Sequence, residues 1–265
     1  MKPFRTPAPW LSAFRGSHLI QLDFYNGNRN LINIWLPELW KEDSGQEGTT
    51  KSHEASVTAA LSSVLDRTED RRFYVEDGKL ITTYEMKTRF KLRGEILPIE
   101  NGVSMKLCLT NLSNNKINPS IASVCVQFAA APSFADSLLD RYFYVSRGKI
   151  VFVKGPYLNS PHHNSQENHV WFFGTSPDER FIHNPQPDSN FIGLTSKDSN
   201  WVAGLSWNSS TRIWGNCHPS MSCIHSDPHF EQIAPLETAK SDGVLFLMEG
   251  QPEDCVARFK EEFRS

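Results

Sequence analysis

Residues 80–93 read LITTYEMKTRFKLR, and residues 103–109 read VSMKLCL. In the first segment apolar side chains at positions 84, 86, 90 and 92 alternate with charged ones at 85, 87, 91 and 93. In the second segment the odd positions are apolar. Because a period of two places alternate residues on opposite faces of a strand, the two segments predict an antiparallel pair with one buried face.

The rest of the chain repeats this pattern. Strands are predicted at residues 18–25, 30–36, 121–131, 142–145, 149–153, 191–195, 201–207 and 244–248, with a weaker island at 169–173. Asn-Gly, Asp-Gly and Arg-Gly dipeptides between them are typical of hairpin turns. One helix is predicted at 253–263, after Pro252. With almost no alternation of strands and helices, this predicts an all-β fold: one large antiparallel β-sandwich domain spanning 1–265, with few short helices.

Composition excludes several classes of protein. The net charge is -3, and no stripe of lysine or arginine is present, so nucleic acid is not an expected partner. No apolar run approaches the roughly 20 residues that span a bilayer, so no membrane partner is expected. Residues 1–10 lack the apolar core of a signal peptide, which predicts a cytoplasmic protein. The five cysteines are then expected to be reduced thiols.

Three fragments resemble galactose-mutarotase-like β-supersandwich proteins, in particular uncharacterised bacterial proteins of that architecture. They are GVSMKLCLTNLS at 102–113, QFAAAP at 127–132, and APLET at 234–238 followed by a strand that ends in Glu249-Gly250. The resemblance implies a sugar-directed protein: an epimerase, a glycoside-processing enzyme, a lyase or a binding module. The sequence lacks the Asn-His-x-Tyr-Phe-Asn motif of the mutarotases, so no catalytic residue is carried over.

The densest group of chemically active side chains lies at 214–230, WGNCHPSMSCIHSDPHF. Pro228 disfavours a helix, and in an extended strand His225, Asp227 and His229 would share one face. That face would suit general acid/base chemistry or a metal site of two histidines and a carboxylate. The alternative interpretation makes them loop residues, with Asp227 in a local Asp-Pro turn.

The cysteines of the same segment leave two further alternatives. Cys217-His218 and Cys223-x-His225 suggest zinc, although their spacing differs from that of structural zinc knuckles. Either cysteine would also have a histidine neighbour for nucleophilic catalysis. We predict instead that His218 joins the proton-transfer group, and we leave the metal unknown. No cofactor is required by the sequence, although a divalent metal would suit it.

Substrate-binding residues are predicted around the long loop at 156–190, which is rich in histidine and amide side chains. If it closes over segment 214–230, it would supply hydrogen bonds to sugar hydroxyls and rings for stacking. The predicted residues are His163, His169, Trp171, Trp214 and Arg141. Trp201 is interpreted as a core residue and Trp214 as exposed. The alternative for Arg141 is a surface ion pair with Asp136 or Asp140.

The sequence therefore predicts a sugar-directed enzyme of the epimerase, isomerase or lyase type, which acts by histidine and carboxylate acid/base chemistry on a sugar or sugar acid. The alternative is a non-catalytic carbohydrate-binding β-sandwich protein. A third interpretation is a metal-dependent oxygenase, which the histidine spacing fits poorly. The expected partner is a carbohydrate small molecule or oligosaccharide.

Overall fold

The computed structural model describes residues 19–42, 72–86, 88–135, 139–153, 170–174, 187, 189–216 and 222–263. These residues form fifteen strands, a 3-10 turn at Leu139–Arg141 and one α-helix. The elements are β1 (Leu19–Tyr25), β2 (Arg29–Glu42), β3 (Arg72–Glu76), β4 (Lys79–Met86), β5 (Phe90–Ile99), β6 (Gly102–Asn111), β7 (Ser120–Gln127), β8 (Tyr142–Ser146), β9 (Lys149–Phe152), β10 (Val170–Gly174), β11 (Ile192–Thr195), β12 (Trp201–Trp207), β13 (Ser210–Asn216), β14 (Cys223–Phe230), β15 (Thr238–Glu249) and α1 (Pro252–Glu262).

The strands make two antiparallel sheets. One has six strands in the order β1-β2-β7-β14-β13-β10, and the other has nine in the order β3-β4-β5-β6-β15-β12-β11-β8-β9. The all-β sandwich prediction is confirmed, and the predicted central strand, β7, lies between β2 and β14. That residues 1–265 form a single domain stays a prediction.

The main core lies between the two sheets. Val124 and Val126 of β7 and Met105 and Leu107 of β6 are buried there, as the alternation of each strand requires. Burying one such side chain contributes about 1.5–3 kcal/mol. Trp207 is fully buried and Trp201 packs against the same cluster, so the core interpretation of Trp201 is correct. The odd-numbered residues of β7 consequently point to the outer face of the six-stranded sheet.

The nine-stranded sheet carries α1 on its outer face. Cys255 and Val256 of the helix are buried in a second cluster with Phe191, whose ring also lies 5.1 Å from that of Phe259. A β-carbon at Gly204 would lie 2.6 Å from the Cys255 sulfur, so the helix can approach this strand only at a glycine. Among the residues described, no helix has the length and apolar character needed to cross a bilayer.

Two details of the sequence prediction are wrong. Residues 80–93 form the hairpin of β4 and β5 rather than one strand, with Met86 opposite Phe90 and Thr88 at a φ of 69°. Because three residues separate the two strands, apolar and charged side chains keep alternating across the turn, and the sequence pattern does not show it. Strand β2 continues past Pro37 to Glu42, and a shift of register between Trp35 and Leu39 accommodates the missing N–H of the proline.

Candidate active site

The outer face of the six-stranded sheet carries polar and aromatic side chains in two adjacent rows. Strand pairing aligns the first row across β1, β2, β7 and β14, and it consists of Gln21, Asn33, Gln127 and Cys223. Its three amides form a hydrogen-bonded chain, which we call the amide row. The second row, across β2, β7, β14 and β13, consists of Trp35, Cys125, His225 and Trp214. This face is therefore built from groups that hydrogen-bond and stack.

His225 is enclosed by chemically active groups. Its Nε2 lies 3.3 Å from the sulfur of Cys223, and its Nδ1 lies 3.3 Å from the Ser123 hydroxyl oxygen. Oδ1 of Asp227 is 3.8 Å from Nδ1, beyond hydrogen-bond reach, so this carboxylate acts on the imidazole through charge. The Trp214 ring stacks on the imidazole with centroids 3.4 Å apart. As a result only 1% of His225 is exposed.

Asp227 is fully buried and accepts bonds from three neighbours. Its Oδ2 accepts from Arg212 Nε at 2.8 Å and from Trp214 Nε1 at 2.9 Å. Its Oδ1 accepts from the backbone N–H of Val124 at 3.3 Å. Because a buried carboxylate is tolerated only when it is paired, these donors fix both its charge and its position beside the imidazole.

The alternative interpretation, an Asp-Pro turn at Asp227, is wrong, because Asp227 and Pro228 lie inside the extended strand β14. Pro228 has no N–H, and the pairing of β14 with β7 is interrupted at positions 226–228. The carboxylate of Asp227 fills that gap by accepting the N–H of Val124. On the other side, a shift of register between Ser210 and Arg212 in β13 brings Arg212 opposite Asp227.

The pKa values of the group move toward an ion pair. A hydrogen bond from the Cys125 thiol, followed by the charge of His225, outweighs burial and lowers the pKa of Cys223 to about 6. Burial opposes a charge on His225, but the Cys223 thiolate and the Asp227 carboxylate raise its pKa to about 9. Burial also acts on Asp227, where His225 and the Arg212 charge prevail and hold its pKa below the usual range. These shifts favour the charged forms of three adjacent groups, the Cys223 thiolate, the His225 imidazolium and the Asp227 carboxylate.

The other predicted residues of segment 214–230 are placed differently. Trp214 was predicted to be exposed; it is half-buried, with its ring on His225 and its N–H on Asp227. His229 follows along β14, and its Nδ1 lies 3.5 Å from a carboxylate oxygen of Glu231, which is 88% exposed. His218 lies outside the described residues.

Of the predicted substrate-binding residues, Arg141 donates to the backbone carbonyls of Thr195, Phe134 and Ala135. These contacts hold neighbouring loops, and a substrate contact by Arg141 stays a prediction. The predicted strand island is confirmed as β10, where the backbone of Trp171 pairs with Gly215. His163 and His169 lie outside the described residues, as does most of the loop that was predicted to close over the site.

Sequence reasoning missed three members of the site. Cys125 and Ser123 face outward from β7, and Arg212 comes from β13. The signal in the sequence was the alternation of β7, in which positions 123, 125 and 127 oppose the core positions. Glu38 is a fourth candidate, because its exposed carboxylate lies near enough to raise the pKa of both Cys125 and Cys223.

A cavity of about 500 Å³ lies elsewhere, on the nine-stranded sheet. Lys79, Glu95, Lys106, Asp242 and Phe263 are among its lining residues, which include none of the predicted site residues. Its charges are already paired, Lys79 with Glu95 and Lys106 with Asp242. The chemistry of the cavity therefore gives no reason to prefer it to the outer face of the six-stranded sheet.

No protein-family model matches the chain, and no curated protein matches it. Among solved structures, the Slr1438 protein from Synechocystis sp. PCC 6803 is similar with a TM-score of 0.55 at 10% identity, covering 94% of this chain and 98% of that one. This likeness shows the fold: the chain shares the architecture of that protein. It shows nothing about activity.

Two further solved structures are named after the family that the sequence resembles, the mutarotases and aldose epimerases. A protein from Escherichia coli K12, provisionally named an aldose 1-epimerase, matches with a TM-score of 0.44 at 9% identity, covering 94% of this chain and 82% of that one. A provisionally named mutarotase from Salmonella typhimurium matches with a TM-score of 0.43 at 10% identity, covering 89% and 85%. Mutarotase-like proteins thus occur among the matched structures, at scores that carry no argument for function.

Proposed function

We propose that the chain is a sugar-directed enzyme of the epimerase, isomerase or lyase type, which works by acid/base chemistry on the outer face of the six-stranded sheet. One observation carries the proposal. The imidazole of His225 is held between the sulfur of Cys223 and the carboxylate of Asp227, on a face lined by amides and indoles. A base, a proton-donating partner and an orienting carboxylate are what general acid/base catalysis requires.

The neighbouring side chains support a sugar as substrate. The amide row offers donors and acceptors to hydroxyl groups, and Trp35 and Trp214 offer apolar ring faces. Arg212 is 30% exposed beside them, and its guanidinium would suit the carboxylate of a sugar acid. The sugar would thus be recognised by these partly exposed side chains, whereas the reactive groups are buried.

Each buried residue has a distinct role in this proposal. His225 would move the proton, and Asp227 would hold the imidazole in place and stabilise its charged form. Cys223 would exchange a proton with Nε2, the nitrogen it contacts. Because His225 is 1% exposed and the Trp214 ring stacks on it, contact with a substrate would require that ring to move aside. His229, further along β14, is the other described histidine that would take part, and roles for His163, His169 and His218 stay predictions.

A second candidate is a non-catalytic carbohydrate-binding protein, and the same burial favours it. The groups that recognise sugars, Trp35, Trp214 and the amide row, are partly exposed, whereas the group that would react is covered. A binding protein needs only the former. The two candidates differ in whether the bound sugar changes chemically.

Proton NMR separates them. The protein would be mixed in turn with glucose, galactose, their 6-phosphates and galacturonate, and anomer exchange, new sugar signals and deuterium uptake would be followed. An enzyme accelerates at least one of these changes, and Trp214→Ala weakens substrate binding. Line broadening without any chemical change would overturn the enzyme in favour of the binding protein. If none of these sugars shows line broadening or a chemical change, both candidate functions are overturned.

A further inference from the structure

Three potential metal ligands converge inside the candidate site. The sulfurs of Cys125 and Cys223 and a ring nitrogen of His225 all lie within 4.8 Å of one another. They come from two neighbouring strands, and all three residues are at most 4% exposed. Two sulfurs and one imidazole form the soft ligand set that selects zinc over magnesium or calcium.

The spacing of the ligands fits a tetrahedral ion. With zinc–sulfur bonds of about 2.3 Å and zinc–nitrogen bonds of about 2.0–2.1 Å, tetrahedral angles place the sulfurs about 3.8 Å apart and each sulfur about 3.6 Å from the nitrogen. The separation of Cys223 Sγ and His225 Nε2 is 3.3 Å, and the three ligand atoms stay within 4.8 Å. A shift of a few tenths of an ångström would fit the Cys223–His225 pair to the ion, and a shift of at most about 1 Å would bring in the Cys125 sulfur.

The second nitrogen of His225 has the environment expected of a metal ligand. Nδ1 faces the hydroxyl of Ser123 at 3.3 Å and the carboxylate of Asp227 at 3.8 Å. Histidines that bind metal typically present this nitrogen to a carboxylate, carbonyl or water, which sets the tautomer and leaves the other nitrogen free to coordinate. Asp227 is itself fixed by Arg212 and Trp214, so the orientation of the imidazole is built into the sheet.

Charge also favours an ion at this position. Two thiolates would neutralise a divalent cation, so the complex could be buried without net charge. Paired charges of this kind are tolerated in a dry interior, whereas unpaired ones are not. In addition, three protein ligands leave the fourth position of a tetrahedral ion open, which is the arrangement of catalytic rather than structural zinc sites.

We propose that Cys125, Cys223 and His225 bind a zinc-type divalent cation with an open fourth position. The inference rests on the proposed function only in assigning chemistry to this site. Nε2 of His225 would then be a metal ligand beside the two sulfurs. The ion would supply an acidified water for proton transfer and an electrophile for a developing oxyanion next to a carbonyl.

Metal analysis tests this without a substrate. The protein would be purified in thiol-free reductant, stripped with a chelator, loaded with zinc and dialysed, and the retained metal measured by mass spectrometry. We expect one zinc per chain. Cobalt loading should give the intense thiolate-to-cobalt absorption and visible bands of tetrahedral sulfur coordination, a readout that needs no variant. Retention of no metal, or a cobalt spectrum without the thiolate band, would overturn the inference.

Variants locate the ion. Cys125→Ser, Cys223→Ser and His225→Ala should each lose the metal, and Asp227→Asn should weaken affinity about 10–100-fold. Cys108→Ser is the matched control, because Cys108 is a free, half-buried cysteine on the other sheet and should keep the metal. Metal retained by both Cys125→Ser and Cys223→Ser would contradict the site. Failure to retain metal together with sugar turnover by the metal-free protein would overturn this inference alone, whereas stoichiometric metal without turnover would remove only the proposed function.

Discussion

Replacing Asp227 by asparagine removes a buried carboxylate on which the candidate site depends. Its Oδ2 accepts from Arg212 and Trp214, its Oδ1 accepts from the Val124 N–H, and the same oxygen lies 3.8 Å from His225. An amide has the same shape but only one acceptor oxygen and no charge. If that oxygen serves Arg212 and Trp214, the amide NH₂ must face the Val124 N–H and the imidazole, donor against donor.

The cost can be worked out from these contacts. Replacing the Arg212 ion pair by a bond from the guanidinium to a neutral amide, and the Trp214 bond by a neutral one, loses about 1 kcal/mol each. Leaving a buried N–H without an acceptor costs about 1–3 kcal/mol. The sum, about 3–5 kcal/mol, agrees with what breaking a buried ion pair costs. Arg212 is 30% exposed, and water there offsets part of the loss, which places the expected value near 3 kcal/mol.

Urea unfolding measures this cost. With an m-value of about 3 kcal/mol/M, a loss of 3 kcal/mol moves the midpoint down by about 1 M, with the slope unchanged. The matched control is Asp242→Asn on β15, which removes a carboxylate that is 55% exposed and 3.3 Å from Lys106. That exposed pair should contribute about 0–1 kcal/mol. If the two variants lose the same stability, the buried carboxylate is not held as described.

Three other perturbations test separate parts of the structure. Burial opposes the charge of Glu95, but Arg93 lowers the pKa of this carboxyl group, so the stabilisation that the charge provides is complete above the ordinary glutamate pKa and is lost as pH falls through the folded value. Wild type should therefore be about 1 kcal/mol more stable than Glu95→Gln at pH 7, and urea titrations in acid should show no difference. Trp214→Phe keeps a ring over the imidazole but loses the N–H to the carboxylate, so thermal unfolding should show a loss of about 1–3 kcal/mol. Gly102→Ala would place a β-carbon 2.1 Å from the backbone oxygen of Leu245, and a destabilisation below about 1 kcal/mol would show that β6 and β15 are not so close.

Much of the architecture was predictable, because period-two alternation and hairpin dipeptides are local signals. They identified β6, β7 and β12 and assigned Trp201 to the core. The prediction failed where the local pattern carries no signal. The turn between β4 and β5 leaves the alternation of apolar and charged residues unchanged, so the hairpin could not be seen in the sequence. Pro37 indicated the end of a strand, but β2 continues past it because the register between β2 and β7 shifts there.

The candidate site was only half predictable for a related reason. His225 and Asp227 share a face because they are two residues apart on one strand, and that spacing is visible in the sequence. Cys125 lies 100 residues away in sequence number from His225 and reaches it only through the pairing of β7 with β14. The pairing of Asp227 with Arg212 likewise depends on the shifted register of β13, which no local sequence pattern predicts.

The central claim is that His225, although buried, is the residue on which chemistry depends. Its most direct test is the turnover of whichever sugar the wild type converts, compared by proton NMR between His225→Ala and His229→Ala. The two histidines are four residues apart on β14, but only His225 contacts both Cys223 and Asp227 among the described residues. We predict that turnover is abolished in His225→Ala and falls less than tenfold in His229→Ala, with both variants folded. Undiminished turnover by folded His225→Ala would contradict the account.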